Sequence, residues 1–283
     1  MQKSNQRGTL YIVATPIGNL RDITQRALEV LNAVDLIAAE DTRHSQALLQ
    51  HYHINTPLIS LHEFNESKRI GLLLSRLEQG NNIALISDAG TPLISDPGYL
   101  LVQAVRAAAM TVTPIPGCCA AIAALSAAGL PTESFIFAGF LSSKAGERKQ
   151  RLESLRTQPA TLIFYEAPHR ILKLLQDIMG IFEEKRRIVL VKELTKTFET
   201  FFAGTAAEVY NWLKADPYHQ KGEFVVLVEG ASLEKNSEIP QEAQRILALL
   251  CDELPLKQAA LLTAKITGVK KNVLYNFAVK QHY

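Results

Sequence analysis

The chain has 283 residues, which is longer than one average domain and predicts two domains with a small appendage. Its hydrophobic fraction of 47% and charged fraction of 20% are those of an ordinary soluble globular protein with a core. The net charge of +2 is far below that of many nucleic-acid-binding domains. A partner with phosphates is therefore neither required nor excluded, and any basic surface must be local.

Cysteine and histidine spacing predicts no metal site. Cys118 and Cys119 are adjacent and Cys251 is distant, so no C-x-x-C pair occurs, and the seven histidines show no ligand spacing. Sparse cysteines fit a reducing compartment. The tail Met1–Arg7 lacks an apolar core, and the apolar stretch Cys118–Leu130 is shorter than the ~20 residues that span a bilayer. We therefore expect a cytoplasmic protein with no membrane partner.

Short apolar runs alternate with amphipathic segments over residues 8–128, which predicts a parallel-type α/β domain after a polar tail at residues 1–7. Leu73 and Leu77 continue an i, i+3, i+4, i+7 pattern from Ile70 that predicts a helix stopped by Gly80. Asp41 or Thr42 can cap another helix. The predicted strands are Thr9–Thr15, Leu36–Ala39, Leu58–Ser60, Ile83–Ser87 and Thr111–Ile115.

Residues 129–230 predict a second α/β domain that begins at the boundary Gly129–Glu133, with strands close enough in places for antiparallel pairing. After the polar linker Ala231–Ser237 the pattern becomes purely helical over residues 238–283. The predicted strands of the second domain are Phe135–Ala138, Thr161–Tyr165, Ile188–Lys192, Thr200–Ala203 and Phe224–Glu229. The predicted C-terminal helices are Gln241–Cys251, Leu256–Thr267 and Asn272–Val279.

The segment Ser87–Gly98, with the sequence SDAGTPLISDPG, predicts a ligand-binding loop. It follows a strand and precedes a helix, where ligands bind beyond the carboxyl ends of an open α/β sheet. Its glycines let a ligand approach the main chain, and its prolines pre-set the turns. The loops Thr15–Asn19 and Pro114–Gly117 also follow strands, and the three could line one pocket. No G-x-G-x-x-G or P-loop motif occurs.

Charged residues follow three other predicted strands, where they either serve a site or form solvated caps and surface ion pairs. These segments are Glu40–His44, Tyr165–Arg170 and Lys192–Lys196. The C-terminal helices carry lysines that either contact RNA phosphates from a helix–turn–helix-like unit or lie on the solvated face of a small bundle.

These motifs in this order resemble the tetrapyrrole methylase superfamily and, within it, the bacterial enzymes that methylate a cytidine 2'-hydroxyl of 16S rRNA. Cys118 and Cys119, Ser142 and Ala167 depart from the family pattern, and we expect these changes to affect local shape. The matching segments are Leu10–Leu31, Ala38–Ser45, Ser87–Gly98, Phe164–Arg170, Lys192–Glu199, Lys221–Glu223 and Thr267–Tyr275.

The resemblance implies two α/β domains of the tetrapyrrole-methylase type with the cofactor in the interdomain cleft, plus a small C-terminal helical unit. It implies a homodimer that uses S-adenosyl-L-methionine to methylate the ribose of a decoding-centre cytidine in 16S rRNA, in the assembled small ribosomal subunit. The residues expected to hold the cofactor, largely through main-chain groups, are Pro16, Gly18, Asp88, Ala89, Gly90, Ser95, Pro116, Gly117 and Ala138.

A ribose hydroxyl becomes a nucleophile only if a neighbouring group takes its proton or stabilises the alkoxide. The sequence does not choose among the catalytic candidates Glu40, Asp41, Glu166, Lys192 and Lys196. The residues expected to meet RNA are Arg43, Arg170, Lys257, Lys270 and Lys271. Two other functions stay open: a methyltransferase acting on a tetrapyrrole-like small molecule in a wide apolar cleft, and a non-catalytic RNA-binding assembly factor.

Overall fold

The computed structural model describes residues 7–231 and 239–281, which form two compact units divided after Ala231. The first unit contains two five-stranded sheets and their helices. The second unit contains three helices. Residues 1–6 of the predicted tail, residues 232–237 of the predicted linker, and residues 238 and 282–283 of the predicted helical unit lie outside the described residues.

The first sheet has the strand order β3-β2-β4-β1-β5, and all four pairings are parallel. All four residues of β2 and of β4 are buried, as expected for strands covered on both faces. The prediction of a parallel α/β sheet is therefore confirmed. The strands are β1 (Thr9–Val13), β2 (Leu36–Ala39), β3 (Leu58–Ser60), β4 (Ile83–Ile86) and β5 (Thr111–Ile115).

Two helices cover each face of this sheet. They are α1 (Gln25–Ala33) and α2 (Thr42–His51) on one face, and α3 (Glu66–Glu78) and α4 (Tyr99–Ala107) on the other. The chain therefore leaves the adjacent strands β1 and β4 toward opposite faces. In open α/β sheets a ligand crevice forms at such a point. Asp41 caps α2 as predicted, since its carboxylate accepts the N–H of Arg43 at 2.9 Å.

The second sheet has the order β6-β7-β10-β8-β9, with β6 and β7 parallel and the other pairs antiparallel. The predicted antiparallel pairing is therefore present. One face is covered by α6 (Ala145–Leu155), α7 (Ile171–Ile181) and α8 (Ala206–Ala215). The strands are β6 (Phe135–Phe140), β7 (Thr161–Glu166), β8 (Arg187–Lys192), β9 (Thr200–Thr205) and β10 (Phe224–Val228).

Helix α5 (Ala120–Ala127) connects the two sheets in the sequence. It follows the last strand of the first sheet, yet its apolar residues pack on the open face of the second sheet, against β7, β8 and β10. The N–H of Ala121 donates to the hydroxyl of Tyr165 on β7 at 2.9 Å. The loop between β5 and α5 is thereby held at the edge of the second sheet.

The C-terminal unit consists of α9 (Gln241–Glu253), α10 (Leu256–Thr267) and α11 (Lys271–Lys280). Leu247 and Leu274 are fully buried in its core, together with small alanines. Gly268 ends α10 in the left-handed region with a φ of 74°, as the glycine between the two predicted helices suggests. Within residues 7–231 and 239–281, no helix is both long and apolar enough to cross a membrane.

Candidate functional site

A cavity of about 310 Å³ lies between the strand-end loops of the first sheet and the second sheet. This volume is at the lower end of the range of small-molecule pockets, about 300–1,000 Å³. It opens where β1 and β4 send the chain to opposite faces of the first sheet. The lining residues from the first sheet's side are Ile17, Ala89, Gly90, Thr91, Ile94, Ser95, Asp96, Cys119 and Ala120. Those from the second are Phe140, Tyr165, Glu166, Ala167, Pro168, Val191, Leu194, Glu223, Phe224 and Val225.

The first wall of the cavity, meaning the loops after β1, β4 and β5, is held together through main-chain groups. Thr15 and Gly90 exchange two backbone hydrogen bonds, at 2.9 and 3.0 Å. The hydroxyl of Thr91 donates to the carbonyl of Cys118 at 2.8 Å. The structure thus brings the three Gly/Pro loops of the sequence into one wall.

Two non-glycine residues of this wall have left-handed backbone: Leu93 with a φ of 72° and Ser95 with a φ of 75°. Such conformations cost about 1–3 kcal/mol each and cluster at ligand clamps and active sites. Gly90 has a φ of 85°, and a Cβ atom there would lie 3.3 Å from Cγ2 of Ile17. The backbone of this wall therefore adopts conformations that most residues other than glycine disfavour.

The first-wall carboxylates Asp88 and Asp96 and the neighbouring carboxylate of Glu40, at the end of β2, repel one another. Burial, together with the charges of Glu40 and Asp88, raises the pKa of Asp96 to about 6, although a hydrogen bond with Ser87 opposes the shift. Burial and Asp88 also raise the pKa of Glu40. Among the described residues, none of these three carboxylates forms an ion pair with a basic side chain. A bound cation would relieve this repulsion.

In the second wall, formed by the strand ends of the second sheet, Glu166 is ion-paired. Its Oε1 lies 2.9 Å from Nε of Arg170 and accepts the N–H of Ala167 at 2.8 Å. Arg170 also donates to the carbonyl of Leu141, and its side chain is only 19% exposed. Burial raises the pKa of Glu166, while Ala167 and Arg170 oppose the shift. Glu166 therefore lines the cavity, but its carboxylate is already ion-paired with Arg170 and hydrogen-bonded to Ala167.

Lys196 is bound by two carboxylates of the same wall. Its Nζ lies 2.9 Å from Glu193 and 3.1 Å from Glu223. Burial alone would lower the pKa of Lys196, but these two partners raise it. Its stem reaches the first wall, where a Cβ atom at Gly18 would lie 2.5 Å from Cγ of Lys196. The ammonium is held protonated, and its stem closes one side of the cleft.

The other predicted site residues are placed as follows. Lys192 is buried at the end of β8, and Asp41 caps α2 and pairs with the exposed Arg43 at 3.1 Å. Ala138 packs against the core under α6–α8. The lysines Lys257, Lys270 and Lys271 are exposed on the C-terminal unit. The predicted cofactor residues that flank the cavity without lining it are Pro16, Gly18, Asp88, Pro116 and Gly117.

Two residues that line the cavity, and whose side chains can take part in chemistry or binding, were not predicted from the sequence. Asp96 lies within the loop that was singled out, but its repulsion by Glu40 depends on contacts between the ends of β2 and β4. Phe140 ends β6, whose sequence FIFAGF indicates a strand and does not reveal a cavity wall. Within the described residues, no group of three or more His, Cys, Asp or Glu side chains is arranged to hold a metal ion.

An open parallel sheet with a cavity at its switch point, closed by a second sheet, is the arrangement of an α/β protein that binds a small ligand beyond its strand ends. The family model for Tetrapyrrole (Corrin/Porphyrin) Methylases matches residues 9–210, and that for the RsmI C-terminal HTH domain matches residues 237–282. The chain belongs to the tetrapyrrole methylase family and, within it, to the family of ribosomal RNA small subunit methyltransferases I. The predicted family and fold class are confirmed, and the protein is a methyltransferase.

Two curated relatives carry the name "Ribosomal RNA small subunit methyltransferase I". The one from Escherichia coli O157:H7 is 55% identical over 98% of this chain and 96% of its own. The one from Pseudomonas aeruginosa is 56% identical over 97% and 98%. Solved structures share the fold at low identity. Diphthine synthase has a TM-score of 0.61 at 13% identity, covering 81% of this chain and 92% of that one. Uroporphyrin-III-C-methyltransferase from Thermus thermophilus has a TM-score of 0.56 at 21% identity, covering 79% and 94%.

Proposed function

We propose that this protein transfers the methyl group of S-adenosyl-L-methionine to the ribose 2'-hydroxyl of a decoding-centre cytidine in 16S rRNA. Its substrate is the assembled small ribosomal subunit, and the enzyme acts as a homodimer in the cytoplasm. One observation carries the chemistry: a main-chain wall with uncompensated carboxylates faces a cavity of about 310 Å³. The names of the relatives supply the class of acceptor.

The first wall fits S-adenosylmethionine, which carries positive charge on its sulfur and on its amino group. Asp96, with Glu40 and Asp88 close by, offers the negative field that such a ligand needs. When bound, the cofactor supplies an electrophilic methyl group. The residues that would hold it, largely through main-chain groups, are Pro16, Gly18, Asp88, Ala89, Gly90, Ser95, Pro116 and Gly117, with Ala138 of the second sheet nearby.

The acceptor hydroxyl must lose its proton, and we assign this step to Asp96. A carboxylate with a pKa of about 6 is mostly ionised at neutral pH and is still basic enough to take a proton as the new bond forms. Among the candidates from the sequence, Glu166 and Lys196 are engaged by their ion-pair partners, and Asp41 caps α2. Glu40 and Lys192 remain candidates for supporting roles.

The division of labour along the chain follows from these placements. Residues 8–128 would bind the cofactor, residues 129–230 would complete the cleft, and residues 238–283 would contact RNA. The exposed lysines Lys257, Lys270 and Lys271 and the exposed Arg43 can reach phosphates, which dominate the affinity for RNA. We assign Arg170 to positioning Glu166 and not to contacting RNA. The described partners of its guanidinium are the Glu166 carboxylate and the Leu141 carbonyl, which both belong to the protein itself.

Methyl transfer to defined substrates tests the proposal. Small subunits and free 16S rRNA from a strain without the enzyme are incubated with the protein and tritiated S-adenosylmethionine. We expect label in the subunits, and a new stop at one cytidine in primer extension at low nucleotide concentration. Label without a ribose stop would contradict the 2'-hydroxyl assignment. RNA binding that depends on salt but brings no label would favour the assembly factor.

The cavity also bears on the small-molecule alternative. A macrocycle needs a wide cleft, whereas this cavity, although lined largely by apolar side chains, is at the small end of the range for ligand pockets. The C-terminal unit with its exposed lysines would have no use in such an enzyme. Labelling of a tetrapyrrole in the same assay, with no labelling of RNA, would favour the small-molecule methyltransferase over the RNA methyltransferase.

A further inference from the structure

The second wall contributes the aromatic surface of the cavity. In the part of the chain that the structure describes, three aromatic residues line it: Phe140, Tyr165 and Phe224. Phe224 is only 3% exposed, and Tyr165 is half-buried. Phe140, in contrast, is 56% exposed although it lines the cavity. It is therefore the ring of this wall that has free surface to offer a ligand.

The ring of Phe140 is supported from behind. Its centroid lies 5.6 Å from that of Tyr165, with an angle of 64° between the planes, which is an edge-to-face contact. Tyr165 packs in the same way on Phe137 at 4.9 Å, and its hydroxyl accepts the N–H of Ala121. An exposed ring on fixed supports loses little conformational entropy when a ligand packs on it.

Phe140 also lies beside the first wall. The preceding residue, Gly139, has a φ of 62°, and a Cβ atom there would lie 3.2 Å from Oγ of Ser95. The pairing of β6 with β7 shifts its register between Phe137 and Gly139, a bulge that re-aims the end of the strand. The strand end that carries Phe140 is thus brought up against the loop assigned to the cofactor.

We propose that Phe140 is the platform on which the base of the target nucleotide stacks. This inference rests on the proposed function. Methyl transfer needs the acceptor ribose beside the cofactor at this cavity, which a nucleotide stacked inside a duplex does not reach, so the acceptor must be unpaired or swung out of its helix. Bases displaced in this way stack on aromatic side chains. Because base and ribose are covalently joined, a ribose beside the cofactor carries its base into the same cavity, where Phe140 is the lining aromatic residue with exposed surface.

The test compares Phe140→Ala, Phe140→Leu and Phe140→Trp in the full-length protein with small subunits as substrate. Loss of the ring in the alanine variant should lower kcat/KM by about tenfold, or about 1.4 kcal/mol. The leucine variant keeps apolar bulk but no π surface and should lose nearly as much, whereas tryptophan should stay within about twofold. The matched control is Phe135→Ala, because Phe135 is exposed at the other end of β6 and does not line the cavity.

Calorimetric titration with S-adenosylmethionine distinguishes stacking of the target base on Phe140 from stacking of the cofactor's adenine on the same ring. We expect the same Kd for the cofactor in all four variants, and weaker binding of subunits in the Phe140→Ala and Phe140→Leu variants only. Weaker cofactor binding in the Phe140→Ala variant would overturn the inference, since the ring would then serve the adenine. Full activity of the leucine variant would also overturn it. If the unmodified enzyme labels no RNA, the proposed function itself fails, and that result is independent of these variants.

Discussion

The two walls of the cavity satisfy their charges differently. In the first wall, Asp96 has carboxylates for neighbours, and its pKa is raised to about 6. In the second wall, Glu166 is paired with Arg170, and Lys196 with Glu193 and Glu223. The charges of Glu166 and Lys196 in the second wall are therefore compensated as folded, whereas the first wall gains from a cationic ligand. We expect substitutions of the carboxylates in the first wall to change binding and chemistry, and substitutions of the ion-paired residues in the second wall to change stability.

The largest expected effect is that of Asp96→Asn. Removal of a general base lowers kcat by about 10²–10⁴-fold. Because the base must be ionised, kcat/KM of the unmodified enzyme should fall as the pH drops below about 6, the pKa of this carboxyl. Steady-state kinetics across pH 5–8 check both points, and a loss confined to cofactor Kd would assign Asp96 to binding instead.

The same substitution should raise stability. A carboxyl with a raised pKa in the folded state contributes stability below its unfolded pKa, and this contribution is lost as the pH rises through about 6. Asparagine removes the repulsion with Glu40, so the Tm of Asp96→Asn at pH 8 should exceed that of the parent. An equal or lower Tm at pH 8, with a folded circular dichroism spectrum, would contradict the repulsion in the first wall.

Next in size is Gly90→Val. Gly90 has a left-handed φ of 85° and little space beside Ile17, and a β-branched residue is strained there by about 1–3 kcal/mol. We expect the Kd for S-adenosylmethionine to rise by about tenfold to hundredfold. Gly71→Val is the control, because Gly71 lies exposed on α3 with no atom within 4 Å of a Cβ. Equal calorimetric affinities for the two variants would remove Ser87–Gly98 from the cofactor site.

A smaller effect, on the second wall, is expected for Glu166→Gln. The change leaves the guanidinium of Arg170, which is mostly buried, without its charged partner, and we expect a loss of about 1–3 kcal/mol in the free energy of unfolding. Urea denaturation measures it. Glu147→Gln removes an exposed carboxylate paired with Lys144 and should change nothing measurable. If Glu166→Gln retains its stability and loses activity, Glu166 acts in the chemistry and the contrast between the walls fails.

The smallest expected effect is the release of a fraction of a proton when the cofactor binds. At pH 6 the Asp96 carboxyl is about half protonated, and a positive ligand lowers its pKa, so binding of S-adenosylmethionine should release up to about half a proton. Calorimetry in two buffers with different ionisation enthalpies detects this release. Asp96→Asn should abolish it, and an unchanged release in that variant would trace the proton to another group.

Local patterns in the sequence predicted the elements but not their long-range contacts. The continuous apolar run Leu36–Ala39 predicts a strand buried on both faces, and the aspartate at position 41 predicts a helix cap. In contrast, the repulsion between Glu40 and Asp96 spans two strands that become neighbours only in the sheet. The pairs Arg170–Glu166 and Lys196–Glu223 could be listed as charges, but their geometry depends on backbone turns that composition does not encode.

Helix α5 has a consequence for how the cleft can move. Its start is fastened to the first wall, because Thr91 bonds Cys118 and the thiol of Cys118 donates to the carbonyl of Asp22 at 3.3 Å. Its body is buried on the second sheet. The connection between the sheets is thus packed on one sheet and hydrogen-bonded to the other, so rotating the sheets apart would break the hydrogen bonds of Thr91 and Cys118. We therefore expect the cofactor and the acceptor to meet a largely preformed cleft.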